Sequence, residues 1–133
     1  MTLNVVRVVA GALLRDGAVL IAQRPPGKHM AGAWEFPGGK IAAGESEAEA
    51  LSRELREEIG IEVRTARPVL TLTHDYPDKR VELLFWVVEA FDGEPAGLEG
   101  QALKWVRRER LGEEPILPAD RPFIEALQQL QSH

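Results

Sequence analysis

The sequence predicts one α/β domain built on a mixed β-sheet. Two groups of apolar, strand-like runs flank a single long amphipathic segment, and a shorter amphipathic segment closes the chain. Such elements bury their apolar faces when the helices pack on a sheet. With 133 residues, of which 44% are hydrophobic, the chain can bury one core, and we expect a single domain over residues 1–133.

The first strand group is predicted at the start of the chain. Leu3 to Leu14 is rich in valine and leucine, and Ala18 to Ala22 resumes the apolar pattern after Asp16-Gly17. An Asp-Gly pair between two such runs predicts a β-hairpin. Arg24 follows the second strand, where it is either a surface charge or a contact to a phosphate or base.

The central helix has well-marked ends. A glycine-rich stretch from Gly38 to Ser46 precedes the run Glu47 to Ile59, and Gly60 follows it. Ser46 and Glu49 have the spacing of a capping box, and glycine is the residue preferred just after a helix C-terminus. The sequence therefore predicts a helix over residues 47–59.

The two faces of this helix differ in chemistry. Apolar residues recur at steps of four, which predicts a buried stripe, whereas the other side carries three glutamates, Glu54, Glu57 and Glu58. Like charges at these spacings destabilise an isolated helix, so a cation is expected beside them. Carboxylate oxygens suit a hard divalent ion such as Mg²⁺. The alternative is a solvated acidic face balanced by neighbouring arginines.

Three more strands and a helix complete the predicted fold. Strands are expected over Val69–His74, after a connector ending at Arg67-Pro68, over Val81–Phe91 and over Ala102–Val106. A closing helix is predicted from the apolar spacing of Phe123, Ile124, Leu127 and Leu130. Asp120 precedes that helix, where its simplest role is the N-cap.

Composition excludes several classes of function. The net charge of −5 gives no electrostatic footprint for polymeric DNA or RNA. The absence of cysteine excludes disulfides and zinc–thiolate sites. The apolar start contains Asn4 and Arg7 and does not have the form of a signal peptide. No run reaches the roughly 18 apolar residues of a membrane span, so we expect a cytoplasmic protein.

The spacing of the central stretch resembles a known family signature. The pattern consists of Gly39, five residues, Glu45, seven residues, and then Arg53-Glu54-Leu55-Arg56-Glu57-Glu58-Ile59-Gly60-Ile61. This stretch, residues 39–61, matches the Nudix hydrolase motif at every specified position. The surrounding chain is similar to the MutT branch of that family in Trp34-Glu35-Phe36-Pro37-Gly38-Gly39-Lys40 and in Glu99-Gly100-Gln101.

The resemblance implies a fold and a reaction. The fold would be the Nudix α/β/α sandwich with a mixed sheet. The reaction would be Mg²⁺-dependent hydrolysis of a small nucleoside triphosphate to a nucleoside monophosphate and pyrophosphate, with Mn²⁺ as a possible substitute. A nucleotide-binding module without catalysis is the alternative, but such modules usually lose signature glutamates, which this chain retains.

The resemblance also implies roles for individual residues. The metal would be held by Gly38 through its carbonyl and by four carboxylates, those of Glu54, Glu57, Glu58 and Glu99. Glu54 or Glu99 would be the general base, and Arg53 would orient the carboxylates. Further roles are a phosphate contact for Lys40, a base contact for Phe36, and support of the site by Gly39, Glu45 and Gly60.

The substrate base is left open between two candidates. MutT-like enzymes read oxidised guanine with an asparagine before the closing helix, and this chain has Asp120 there. The branch that hydrolyses CTP has a similar Pro-Ala-Asp-x-Pro segment. We expect 8-oxo-dGTP as substrate, with CTP or modified pyrimidine deoxynucleotides as the alternative.

Overall fold

The predicted mixed sheet forms around the first strand. The structure, a computed structural model, describes residues 4–130. Its strands are β1 Asn4–Arg15, β2 Ala18–Gln23, β3 Trp34–Glu35, β4 Gly38–Lys40, β5 Glu62–Asp75, β6 Lys79–Asp92 and β7 Leu103–Arg107. The α-helices are α1 Glu47–Ile59 and α2 Arg121–Gln129, and short 3-10 turns cover Arg108–Glu113 and Pro118–Asp120.

The sheet is mixed because one of its pairings is parallel. The main strand order is β3-β2-β1-β6-β5, with β4 paired to β1 and β7 paired to β2. β1 runs parallel to β6, from Asn4 opposite Lys79 to Leu13 opposite Val88. The other pairings are antiparallel. This topology places β4 and the start of α1 next to the middle of β1.

Buried side chains on the two faces of the sheet form two cores. The core beneath α1 contains Val9, Leu13, Leu20, Ala50, Leu51, Leu55, Ile59, Ile61, Leu84 and Val88. The core beneath α2 contains Ala12, Val19, Ile21, Phe36, Phe85, Val87, Val106, Leu111, Ile116, Phe123, Ile124 and Leu127. Successive residues of a strand point to opposite faces, which explains why neighbours such as Leu84 and Phe85 enter different cores. The α/β/α sandwich is confirmed.

Helix α1 has the ends that its sequence predicts. The Ser46 hydroxyl accepts a hydrogen bond from the Glu49 N–H at 3.1 Å, and the Glu49 carboxylate accepts one from the Ser46 N–H at 2.9 Å. Gly60 ends the helix with a positive φ of 72° and donates its N–H to the Arg56 carbonyl. Helix propagation is thus stopped at both ends by local hydrogen bonds. The glutamates are held in fixed positions along the helix.

The first hairpin also forms as predicted. β1 and β2 are joined by Asp16 and Gly17, whose φ angles are both positive, 51° and 79°. Positive φ at both central residues is the requirement of the tight turn that Asp-Gly favours. Leu3, the first residue of the predicted strand, lies outside the described residues.

Two expectations about connectors are wrong. The predicted connector ending at Arg67-Pro68 is part of β5, which begins at Glu62. Pro68 is tolerated because β5 is an edge strand with register shifts, one of them between Pro68 and Leu70. In addition, the predicted glycine-rich loop begins as strand β4, in which Gly38 pairs with Ala10.

The closing helix packs its apolar face as the spacing predicts. Phe123, Ile124 and Leu127 are buried, and Leu130 is partly buried against the same core. Pro122 lies in the first turn, where proline fits because no intrahelical partner is required for its nitrogen. Among residues 4–130, none of the helices has the length and apolar character needed to cross a membrane.

Candidate active site

An acidic cleft of about 300 Å³ opens where β4, the last turns of α1 and the loop before β7 meet. Its walls include Gly38, Glu58, Glu99 and Gln101. Glu58 and Glu99 lie far apart in sequence, and the fold brings them to one cleft. The cleft thus joins one helix glutamate, Glu58, to the predicted loop glutamate, Glu99.

Glu58 is half-buried and faces the backbone of β4. Its carboxylate accepts a hydrogen bond from the Gly38 N–H at 3.1 Å. Burial raises the pKa of Glu58 to about 8, with the negative charges of Glu54 and Glu99 acting in the same direction and the Gly38 hydrogen bond opposing them. A carboxyl with this pKa is mostly protonated at neutral pH, and a nearby cation would favour its charged form. Its surroundings therefore favour a bound cation.

Glu54 lies directly against β4. A methyl group added to Gly39 would be 2.5 Å from the Glu54 carboxyl carbon, well inside van der Waals contact. Only glycine therefore leaves room for this carboxylate. The predicted supporting role of Gly39 has a steric basis in that close approach.

Arg53 connects the glutamates of the helix to the preceding loop. It donates two hydrogen bonds to Glu45, from Nε at 2.6 Å and from Nη2 at 2.9 Å. It also donates to Glu54 at 3.1 Å, to Glu57 at 3.3 Å and to the Lys40 carbonyl at 3.1 Å. The planar guanidinium has the donors for such a fork. Arg53 thus holds both the helix and the loop in one arrangement.

Glu45 is ionised throughout the ordinary pH range. The Arg53 hydrogen bonds and one from the Ala42 N–H lower the pKa of Glu45 to about 2. In return, the Glu45 carboxylate raises the pKa of Arg53. Glu45 lies just before α1 and Arg53 lies within it, so the pair ties the loop to the helix, in agreement with a supporting role for Glu45.

Glu57 and Lys40 are solvent-exposed residues of the site. The Glu57 side chain is 57% exposed, against 15% for that of Glu54. Lys40 ends β4 and is exposed. Both side chains can therefore reach a ligand in solvent without a rearrangement of the core.

The oxygen donors fit a hard divalent cation, although they are not preassembled. Within residues 4–130, no three carboxylate or imidazole groups already surround a common point. Mg²⁺ commonly keeps several waters and takes only a few protein ligands, the rest coming from phosphates. The donors available are carboxylate and carbonyl oxygens, and like charges crowd Glu58. This donor chemistry suits Mg²⁺ or Mn²⁺.

A second pocket of about 200 Å³ adjoins the acidic cleft, because Glu35 and Gly38 line both. Its walls are mostly apolar, including Leu83, Phe85 and Leu117, and Asp120 supplies a polar group. An apolar pocket with few polar groups is suited to a flat, polar-edged ring such as a nucleobase.

Asp120 is buried and takes part in a long-range hydrogen bond. Only 8% of the residue is exposed, and its Oδ2 accepts from the Phe36 N–H at 3.2 Å. Burial raises the pKa of Asp120 to about 7; Glu35 adds to the rise, whereas the Phe36 N–H and Arg24 oppose it. Asp120 stands at the N-cap position of α2 but makes no side-chain capping bond. The predicted N-cap position is thus confirmed, but the side chain bonds to the Phe36 N–H and not to the helix.

Phe36 and Arg24 also line this pocket. The Phe36 ring belongs to the core, with ring centroids 4.9 Å from Phe123 and 6.5 Å from Phe85. Arg24 donates to the Glu35 carboxylate at 2.9 Å and to the His29 carbonyl at 2.8 Å. Their contact with a base or phosphate stays a prediction.

Sequence reasoning assigned no function to two residues that line the cleft. Glu35 faces both pockets and pairs with Arg24. Gln101 bonds to the backbone of both Glu58 and Glu99. Neither role has a signal in composition or periodicity, because each depends on contacts between distant parts of the chain.

Comparisons with known proteins agree with this geometry. A family model described as the NUDIX domain matches residues 9–126. The chain is 40% identical to the CTP pyrophosphohydrolase of Escherichia coli K12 over 130 residues, which cover 98% of this chain and 96% of that protein. It is also 40% identical to the 8-oxo-dGTP diphosphatase of the same organism over 124 residues, covering 92% and 96% of the two chains.

Solved structures show the same fold. The solution structure of the E. coli ORF135 protein has a TM-score of 0.86 at 40% identity, covering 95% of this chain and 90% of that one. A structure from a study of MutT of Aliivibrio salmonicida and Vibrio cholerae has a TM-score of 0.83 at 36% identity, covering 96% and 100%.

Proposed function

The chain belongs to the Nudix family, and from this premise we propose that it is a MutT-like pyrophosphohydrolase. It converts a nucleoside triphosphate and water to a nucleoside monophosphate and pyrophosphate, and it removes damaged nucleotides from the precursor pool. The observation that carries the proposal is the junction at Gly38 between an acidic cleft and a mostly apolar pocket containing Asp120. A triphosphate and a base require these two environments side by side.

The cation would be held by the carboxylates of Glu54, Glu57, Glu58 and Glu99 and by the Gly38 carbonyl. When bound, Mg²⁺ would neutralise phosphate charge and lower the pKa of a water molecule beside the phosphate chain. Glu58 supports this assignment because its environment disfavours the charged carboxylate unless a cation is near. Mn²⁺ has similar ligand preferences and is expected to substitute.

The remaining side chains position the reactants. Arg53 bonds directly to Glu45, Glu54 and Glu57, which restricts the positions of these carboxylates. Lys40, exposed at the end of β4, would contact the phosphate chain and stabilise the leaving group. Glu54 or Glu99 would accept the proton of the attacking water, a contribution of roughly 10²- to 10⁴-fold in rate.

The nucleobase would lie in the pocket next to Phe36, with Arg24 at its edge. Asp120 is the group that distinguishes the candidate bases. Its protonated form donates and accepts hydrogen bonds, whereas its ionised form only accepts. The first candidate substrate is 8-oxo-dGTP, as the name of the E. coli diphosphatase relative indicates.

A second candidate is CTP or a modified pyrimidine deoxynucleotide. Asp120 favours it because an ionised carboxylate accepts well from an exocyclic amino group such as that of cytosine. The 40% identical CTP pyrophosphohydrolase points to the same class of substrate. In either case the partner is a small nucleotide, which is found in the cytoplasm, and the net charge of −5 disfavours polymeric nucleic acid.

A pyrophosphate-release screen tests the proposal. Purified protein is incubated with normal, oxidised and methylated nucleoside triphosphates, with Mg²⁺ or with a chelator in its place. We expect pyrophosphate and monophosphate in equal amounts, only with the metal, and the highest kcat/KM for 8-oxo-dGTP or a cytosine nucleotide. Release of orthophosphate, or no turnover of any nucleotide, would contradict the proposal.

A further inference from the structure

The loop that carries Glu99 is attached to the end of helix α1. The Ala96 N–H donates to the Ile59 carbonyl at 3.0 Å, and the Leu98 N–H donates to the Glu58 carbonyl at 3.0 Å. Carbonyls in the last turn of a helix have no partner within the helix. The loop supplies those partners, so its path follows the end of the helix.

A single side chain completes this attachment. The Gln101 Oε1 accepts the Glu99 N–H at 2.9 Å, while its Nε2 donates to the Glu58 carbonyl at 3.1 Å. The two ends of the Gln101 amide therefore contact two different segments, and each segment bears a glutamate of the acidic cleft. The amide joins Glu99 to Glu58 through their main chains and leaves both carboxylates free for a ligand.

The shape of the loop makes this bridge possible. A methyl group on Gly97 would lie 2.0 Å from the Gln101 carbonyl oxygen, and Gly100 has a positive φ of 83°. The loop therefore folds back on itself closely enough for residue 101 to reach residue 99. Before the loop, Arg15 holds Glu94 by paired hydrogen bonds of 3.0 and 3.1 Å. Because of that separate anchor, loss of the Gln101 amide is not expected to unfold the whole segment.

We propose that Gln101 is a positioning residue that holds Glu99 at a fixed place relative to Glu58 and thereby raises the affinity of the cleft for its divalent cation. This inference rests on the proposed function for the assignment of both glutamates as metal ligands. An exposed loop glutamate has many conformations, and restricting them beforehand reduces the entropy lost on binding. Groups that orient metal ligands typically contribute 10- to 100-fold in affinity or activity.

The test uses Gln101→Met, which keeps the length of the side chain and removes both hydrogen-bonding groups. Gln128→Met is the matched control, because the Gln128 amide also donates to a backbone carbonyl, that of Arg108 at 3.3 Å. Mn²⁺ binding to the nucleotide-free protein is measured by calorimetry, together with the metal-free Tm. We expect roughly tenfold weaker Mn²⁺ binding for Gln101→Met, a wild-type affinity for Gln128→Met, and similar Tm values for the two variants.

A double-mutant cycle with Glu99→Gln separates positioning from a general loss of structure. If Gln101 acts through Glu99, Gln101→Met has no further effect on Mn²⁺ affinity once the Glu99 carboxylate has been removed. Additive effects, or an unchanged affinity in either single variant, would overturn the inference. Turnover by Gln101→Met should also recover as the Mg²⁺ concentration is raised. A turnover defect that remains at saturating Mg²⁺ would contradict the inference.

The two proposals can fail separately. If the wild-type protein hydrolyses no nucleotide, the proposed function is wrong, but the Mn²⁺ cycle still decides the role of Gln101. If wild-type turnover is Mg²⁺-dependent and Gln101→Met binds Mn²⁺ normally, only the positioning inference is wrong.

Discussion

The carboxylate of Glu54 lies directly over the Cα of Gly39, so close that a Cβ there would be 2.5 Å from Glu54 Oε2. The carboxylate can take this position only because residue 39 has no side chain. The contact links a glycine of strand β4 to the position of a predicted metal ligand.

Gly39→Ala should therefore impair activity more than stability. Its φ does not require glycine, and the added methyl group meets only the end of a flexible side chain. Glu54 can turn away, at a cost we expect to stay within about 1 kcal/mol, but its carboxylate then leaves its place beside β4. We expect kcat to fall at least tenfold with a small change in Tm. Gly112→Ala is the control, since nothing lies within 4 Å of a Cβ at Gly112; equal kcat values for the two variants would contradict the argument.

Glu54→Gln and Glu57→Gln should each abolish turnover and leave the fold intact. Both carboxylates face away from the buried stripe of Leu51, Leu55 and Ile59. Amides keep the shape but lose the charge needed to bind a hard cation. The measurement is kcat at saturating Mg²⁺, with circular dichroism for the fold and the exposed Glu125→Gln as a charge control. Near-wild-type rates in either variant would show that the metal assignment is wrong.

The position of bond cleavage can be read from isotope transfer. With the base beside Asp120, the phosphate chain would cross Gly38 and place its outer phosphates among the glutamates. We expect water to attack the β-phosphorus, so that the bridging oxygen leaves with the monophosphate. Turnover in ¹⁸O-water should then label pyrophosphate and not the monophosphate, as measured by mass spectrometry. Label in the monophosphate would place the attack at the α-phosphorus instead.

Local signals in the sequence are sufficient to predict the bounds of helix α1 and the first hairpin. The bounds of α1 depend on Ser46, Glu49 and Gly60, which act within one turn of the helix ends. The Asp16-Gly17 turn is equally local. Each of these features requires no knowledge of the rest of the fold, and each was predicted correctly.

Features that depend on distant partners were missed. Gly38 to Lys40 forms a strand only because β1 lies beside it. The connector predicted to end at Arg67-Pro68 is part of β5, because an edge strand with bulges accepts proline. The contacts of Asp120 with Phe36 and of Gln101 with Glu58 span 84 and 43 positions. No local pattern specifies such pairs, so neither the bond from Phe36 to Asp120 nor the bridge at Gln101 can be predicted from the sequence.

Asp120 should make stability depend on pH. Burial raises the pKa of Asp120 to about 7 from an ordinary 3.8, with Glu35 adding to the rise and Phe36 N–H and Arg24 opposing it. Between these values the folded protein binds the proton more tightly than the unfolded chain does, so stability falls as pH rises and levels off above 7. The full decrease in the free energy of unfolding is on the order of 4 kcal/mol.

Asp120→Asn removes this dependence, because an amide does not titrate. The free energy of unfolding of the variant minus that of the wild type should therefore rise between about pH 4 and pH 7. The shifted pKa of Glu58 is common to both proteins and cancels in the difference. Urea unfolding at several pH values measures this difference in the free energy of unfolding. A difference that stays constant with pH would contradict an elevated pKa at Asp120.

The choice of base should also depend on Asp120. An asparagine there can still accept the Phe36 N–H through its carbonyl oxygen, while its amide group donates into the pocket. A carboxylate instead accepts from the amino group of cytosine, and its protonated form both donates and accepts. We therefore expect Asp120→Asn to narrow the enzyme toward 8-oxo-dGTP and to lower kcat/KM for cytosine nucleotides, whereas Asp120→Ala weakens binding of all bases.

The alternative role makes a different prediction for the same variants. If Asp120 acted only as a helix cap, asparagine would leave the substrate ranking unchanged and alanine would cost only about 1 kcal/mol of stability. The missing capping bond argues against that alternative. Measuring kcat/KM for 8-oxo-dGTP, dGTP and dCTP in the wild type and both variants decides between the roles. An unaltered ranking in Asp120→Asn, with normal folding, would show that Asp120 does not read the base.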